Sequence, residues 1–263
     1  MRRIHPLFLA SLLFSATLLF GFSDDDAPSP KKQVAFVIDD FGNGMAGTKE
    51  MMELPIRLTV AVMPFLPTTK RDATWAHQKN HDVFVHIPME PVKGKKRWLG
   101  PGAITTDLSN EEIETRMHAA IDDVPFAIGV NNHMGSKVTA DRRVMNIVLK
   151  VCRERGLIYL DSRTTNKSVA KEMAQKWDVP YIANDIFLDE VYSMKHILKQ
   201  MNTVCKTIAK EDSCIAIGHV GPPGKKTAEV LRRYIPIVDD TAVIVPVSKL
   251  VKSHYPISTF PLP

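Results

Sequence analysis

Cysteine is scarce in this 263-residue chain: there are three, Cys152, Cys205 and Cys214, and none stands in a Cys-x-x-Cys pair. That excludes a disulfide framework and a thiolate zinc module. It leaves the thiols as small apolar side chains, with Cys205 to Cys214 the one bridge an oxidising compartment would permit. Phosphate-cradling glycine signatures are missing too. No Gly-x-Gly-x-x-Gly or Walker-type loop follows the first apolar run, so nothing argues for a nucleotide cofactor. Excess charge is small, +5 in all, and aromatics are only 7%. The short basic runs Lys93-Gly-Lys-Lys-Arg97 and Lys225-Lys226 have no interleaved aromatics, which fits solvated loops or contact with an anionic cell surface and argues against nucleic acid. Internal repeats and low-complexity tracts are also absent.

What is present begins with a leader. Met-Arg-Arg, an apolar run of about 14 residues from Leu7 to Phe20, and the small-x-small site Gly21-Phe-Ser23 form the pattern of a secretory signal peptide, short for a membrane span. Export is the expectation, to periplasm, cell wall or medium, and membrane association follows only if residues 1–23 are kept as an anchor. Residues 24–32, rich in Asp, Pro, Ser and Lys, read as a linker. One domain is expected over 33–251, followed by a Pro-containing tail over 252–263.

Within that domain, short apolar runs alternate with helical patterns. The runs are Val34–Ile38, Leu58–Met63, Val83–Ile87, Ala127–Val130, Leu157–Leu160, Tyr181–Ala183, Cys214–Gly218 and Ala242–Val247. Ser109-Asn-Glu-Glu112 is a capping box opening a helix to about Asp123. Val144, Ile147, Val148, Val151 and Cys152 make an apolar stripe that Gly156 stops, and Met194, Ile197, Leu198, Met201, Cys205 and Ile208 make another after Ser193. Alternating strands and helices imply right-handed crossovers and a parallel sheet covered on both faces. About eight such units in this length predict an α/β fold, a distorted (β/α) barrel of seven to eight mostly parallel strands. The long connection from Glu90 to Asp107 predicts a functional loop over a site.

The strand ends carry the chemistry. Val34-Ala-Phe-Val-Ile runs straight into Asp39-Asp40 and a Gly-Asn-Gly turn. One acid there would be an ordinary helix cap; two are less well explained that way. The third run ends in His86-Ile-Pro-Met-Glu90, the fourth in Asn131-Asn-His133, the fifth in Asp161-Ser162, the sixth in Asn184-Asp185 and the seventh in His219. A parallel barrel brings these ends to one face. Carboxylates with imidazoles suit a divalent ion, Zn²⁺ being the common match, held by about three protein ligands with one position open to water. Asp40, His86 and His133 are the chosen ligands. Glu90 competes for a ligand position or else orients an imidazole, and Asn132 and Asp161 are further supporting candidates. Asp39 is placed to take a proton from water and His219 to donate one to a leaving group.

Taken as an ordered set, Ile38-Asp-Asp-Phe-Gly42, His86-Ile-Pro-Met-Glu-Pro91, Gly129-Val-Asn-Asn-His-Met-Gly-Ser136, Leu160-Asp-Ser-Arg163, Phe187-Leu-Asp189 and Ile217-Gly-His219 resemble the divergent polysaccharide deacetylases. The resemblance covers about Val34 to Val251. It implies a distorted barrel and an extracytoplasmic, metal-dependent enzyme that removes acetyl groups from N-acetylated polysaccharides. It maps base and metal ligand onto Asp39 and Asp40, and the acid onto His219. Two departures from the wider superfamily stand out: His86-x-x-x-Glu90 replaces His-x-x-x-His, and Asn131-Asn-His-Met-Gly-Ser replaces Arg-x-Pro-Tyr. They keep open a non-catalytic glycan-binding or regulatory wall protein on the same barrel. The basic loop at Lys93–Arg97 keeps open a hydrolase of phosphoesters.

Overall fold

The computed structural model describes residues 31–255. The expected leader, most of the linker and the end of the tail lie outside the described residues. Among the described residues nine strands form one parallel sheet: β1 (Gln33–Phe41), β2 (Thr59–Val62), β3 (Asp82–Met89), β4 (Ala127–Met134), β5 (Ile158–Asp161), β6 (Tyr181–Ala183), β7 (Ile186–Phe187), β8 (Ser213–His219) and β9 (Val243–Ile244). They alternate with α1 (Thr48–Met52), α2 (Thr69–Gln78), α3 (Asn110–Asp123), α4 (Arg142–Glu154), α5 (Ala170–Trp177), α6 (Met194–Lys210), α7 (Gly224–Asp239) and α8 (Val247–His254). Among the described residues no helix is long and apolar enough to cross a membrane.

All eight expected runs are strands, and every pairing is parallel. The hydrogen-bonded order is β6-β5-β4-β3-β2-β1-β8-β7. Its two ends are consecutive in the chain and only two residues apart. Asn184 N–H donates to Asp161 O of β5 (2.9 Å), and Asp185 N–H donates to Ile215 O of β8 (3.0 Å). One run of chain therefore leaves one edge of the curved sheet and joins the other, so the barrel is closed by a strand that changes partner midway. The two-residue β7 was not visible as a separate run. The last expected strand shrinks to β9, which sits off the ring against Gln33 and Val34.

The sequence signals for helices act as expected. In α3 the Ser109 side chain accepts from Glu112 N–H, and the Glu112 carboxylate accepts from Ser109 N–H (2.7 Å). α4 ends just before Gly156, whose φ of +65° is the left-handed conformation that glycine adopts without strain. Alternation along the strands separates two cores. Val34, Phe36 and Ile38 pack outward under the helices. Ala35 and Val37, with Phe84, Leu160, Ile215 and Ile217, fill the barrel interior, which Val247, Leu250 and Val251 of α8 close from below. α8 continues to His254, past the expected domain end. The three cysteines are free thiols, so the bridge considered between Cys205 and Cys214 is not formed.

Candidate metal centre and active-site cleft

Period-two alternation decides which side chains top the barrel interior. Asp39 follows Ala35 and Val37; His219 follows Ile215 and Ile217; His86 follows Phe84; Asn131 and His133 follow Gly129. Register sets their neighbours, pairing Asp39 with His219 and His86 with Asn131. Asp40 should by the same rule face outward. It is redirected because the β1–β2 pairing shifts register between Ile38 and Phe41, and Asp40 takes φ +68°. This bulge at the strand end re-aims its carboxylate.

Asp40, His86 and His133 converge. His133 Nδ1 is 3.0 Å and His86 Nε2 3.3 Å from Asp40 Oδ1, and the two imidazole nitrogens are 3.1 Å apart. The partners behind them fix the tautomers. Asp39 can only accept, so the Asn131 amide nitrogen faces it (2.9 Å) and Asn131 Oδ1 must face His86 Nδ1 (2.8 Å). His86 Nδ1 therefore carries a proton and Nε2 points into the cluster with a lone pair. Likewise the Trp98 carbonyl accepts from His133 Nε2 (3.1 Å), leaving the Nδ1 lone pair inward. Two lone pairs and a carboxylate then face one another with no proton between them, and Asp40 Oδ1 is buried without a hydrogen-bond partner. Such an arrangement calls for a cation. Tetrahedral ligands about 2.0–2.2 Å from a metal stand roughly 3.3 Å from one another, close to the separations found. These residues fit a divalent metal. Burial would raise the Asp40 pKa, but the His133 and His86 imidazoles beside it outweigh that and hold the carboxyl well below the usual range.

Asp39 and His219 flank the triad. Asp39 is almost fully buried, and burial raises its pKa although His86 and His219 pull it down. Its second oxygen lies 3.7 Å from His86 Nε2. His219 is held by Asp189, which is completely buried. Asp189 Oδ1 is 2.7 Å from His219 Nδ1, while Oδ2 accepts from His219 N–H and from the Thr227 hydroxyl. Burial alone would lower the imidazole pKa; the Asp189 contact overrides it and pushes the value up to about 9. A cavity of about 350 Å³ opens over Asp40, His133 and His219, with Trp98 and Tyr192 at its rim.

Three supporting candidates are not brought to the triad. Glu90 turns to the long loop, where it accepts from Thr106 N–H and Oγ1 (both 3.0 Å) and from Lys137 Nζ (2.8 Å). It ties the two ends of that loop together instead of orienting an imidazole. Asn132 is on the opposite face of β4 from Asn131 and accepts from Ser162 N–H. Asp161 accepts from Ser168 Oγ (2.6 Å), Arg163 N–H and Tyr181 O–H, bracing β6 against β5. The orienting groups that were missed are Asn131, the Trp98 carbonyl and Asp189. Strand alternation counted from Gly129 would have selected Asn131 and His133 over Asn132. No sequence signal identifies a backbone carbonyl on a distant loop.

The model of the divergent polysaccharide deacetylase family matches residues 36–251. An uncharacterized protein, YibQ, of Escherichia coli K12 is 33% identical over 234 residues, which is 89% of this chain and 68% of that protein. An uncharacterized protein of Haemophilus influenzae is 32% identical over 211 residues, 80% of this chain and 73% of that one. Among solved structures, an uncharacterized protein from Agrobacterium tumefaciens superposes with a TM-score of 0.77 at 19% identity, over 85% of this chain and 91% of that one. The catalytic domain of a peptidoglycan N-acetylglucosamine deacetylase from Eubacterium rectale superposes with a TM-score of 0.50 at 13% identity, over 92% and 98%.

Proposed function

Because the chain belongs to the divergent polysaccharide deacetylase family, we propose that it is an exported, metal-dependent hydrolase that removes acetyl groups from N-acetylated sugars of an envelope or cell-wall polysaccharide. The observation that carries this reading is the inward set of two imidazole lone pairs and one unpartnered carboxylate oxygen, flanked by a second carboxylate and a protonated imidazole. Asp40, His86 and His133 would hold the metal, and the mixed nitrogen and oxygen set favours Zn²⁺. When bound, a divalent ion supplies polarisation of the acetamide carbonyl and a water of lowered pKa.

The chain's own groups account for the proton movements. Asp39 Oδ1 is committed to the Asn131 amide, which leaves Oδ2 to take the proton of the attacking water. His219 keeps a proton on Nε2 and delivers it to the departing amine, while Asp189 fixes Nδ1 and stabilises the charged ring. Trp98 and Tyr192, both more than half exposed at the cleft rim, offer flat apolar faces to a sugar ring. Zn²⁺-loaded protein should release acetate from N-acetylglucosamine oligomers or peptidoglycan. Asp39→Asn should abolish release with the metal still bound. If no acylated sugar yields acetate with any divalent metal, the reaction is assigned wrongly. Glycan binding without product, equal in wild type and Asp39→Asn, would point to a binding protein on the same barrel.

A further inference from the structure

A second and larger cleft, about 990 Å³ in volume, lies beside the catalytic one. The two share a thin wall made of the turns 44–47 and 221–224. Gly221 N–H donates to Ala46 O (2.7 Å), and a Cβ on Gly224 would stand 2.3 Å from that same oxygen, so the turns meet backbone to backbone. Pro222 and Pro223 of this wall line the catalytic cavity, while Lys225 just beyond it lines the second cleft.

The second cleft is cationic. Lys49, Lys70, Arg71 and Lys225 line it against one carboxylate, Glu50. The three lysine side chains are between 69% and 75% exposed, and their nearest carboxylates stand 3.5–3.8 Å away: Glu53 for Lys49, Asp123 for Lys70, Glu50 for Lys225. Those are loose, solvent-screened contacts that a ligand can replace. Arg71 is different, since the fully buried Asp72 fixes its guanidinium at 2.8 Å and also accepts from Gly42 N–H and the Thr68 hydroxyl. It is thus preorganised beside the loop that follows Asp39 and Asp40. Thr48 at the start of α1 also lines the cleft, though its hydroxyl is buried beneath the surface. Trp75 adds an apolar wall.

We propose that this cleft is a binding site for an anionic substituent, a carboxylate or a phosphate, carried by the same glycan whose acetamide enters the catalytic cavity. The identity of the carrier rests on the deacetylase reading; the cationic cleft does not. The substrate class is then an acidic acylated glycan, gripped by its charge on one side of the shared wall and presented for hydrolysis on the other. The cleft adds affinity that falls with salt, because the cations that supply it are exposed.

Calorimetric titration of full-length, Zn²⁺-loaded Asp39→Asn protein, which cannot consume its ligand on the proposed mechanism, separates binding from turnover. Three N-acetylated oligomers are compared: neutral, carboxylated and phosphorylated. At least one anionic oligomer is expected to bind roughly tenfold tighter than the neutral one at low salt, and the better arm identifies the anion. High salt, or the added pair Lys70→Glu and Lys225→Glu, should erase that margin while the neutral oligomer keeps its Kd. Equal binding of all three oligomers, or an equal loss for all three in the charge-reversed protein, overturns the proposal. Acetate release by the protein with Asp39 intact is scored separately. Turnover of a neutral oligomer without an anionic preference leaves the deacetylase reading standing and removes only the cleft. Anionic preference without acetate release does the reverse.

Discussion

Replacing Asp189 by Asn should discharge the imidazole of His219 at neutral pH. His219 has a pKa of about 9 against an ordinary 6.5, because the Asp189 carboxylate, 2.7 Å from Nδ1, overcomes the effect of burial. An amide in that place removes the charge but not the burial, so the pKa should return to 6.5 or below. A fall of about 2.5 units corresponds to about 3 kcal/mol of lost preference for the imidazolium. Near pH 8 the protonated fraction would drop from nine-tenths to a few hundredths, roughly thirtyfold. The same contact bears on stability. The folded-state pKa is raised, so its contribution is complete below pH 6.5 and disappears as the pH rises through about 9. Imidazole NMR titration of metal-free wild type and Asp189→Asn measures the shift directly. The high-pH limb of acetate release, if present, should move with it. A wild-type His219 that titrates near 6.5, or an Asp189→Asn protein in which it still titrates near 9, would refute the account of how this acid is kept charged.

His81, buried and accepting the Leu58 N–H at Nδ1, has its pKa pushed down to about 4, chiefly by burial. A lowered pKa means stability present above 6.5 and lost as pH falls towards 4; chemical denaturation should show about 2 kcal/mol of this loss between pH 8 and pH 5, and a His81→Gln protein should show less. Asn131→Ala should weaken metal binding roughly 10- to 100-fold in a chelator competition, because it frees the His86 ring and Asp39 together. Glu90→Gln should leave metal affinity unchanged within about twofold, since its carboxylate is spent on Thr106 and Lys137; an effect as large as that of Asn131→Ala would return Glu90 to the metal centre. Gly129→Ala would place a Cβ 2.4 Å from the Phe84 ring inside the barrel, and thermal melts should report a cost of about 1–3 kcal/mol.

Much of this was legible in the chain itself. Eight apolar runs bounded by helices specify a covered parallel sheet, because only strands buried on both faces read as unbroken hydrophobic segments. The Ser109 capping box and the stop at Gly156 depend on residues a few positions apart, so local chemistry settles them. Placing Asp39, His86, His133 and His219 at strand ends followed from the rule that parallel strands share one C-terminal face. Tertiary structure alone decided the rest. A one-residue bulge turned Asp40 inward, against strand alternation; register set Asn131 beside His86; a carbonyl from the Glu90 to Asp107 connection fixed the His133 tautomer. Barrel closure by a single strand that swaps partners, and the capture of His219 by Asp189 thirty positions earlier, belong to the same class. Spacing along a chain states which residues can share a face, but which lone pair points where is fixed only when hydrogen-bond partners from distant segments arrive together.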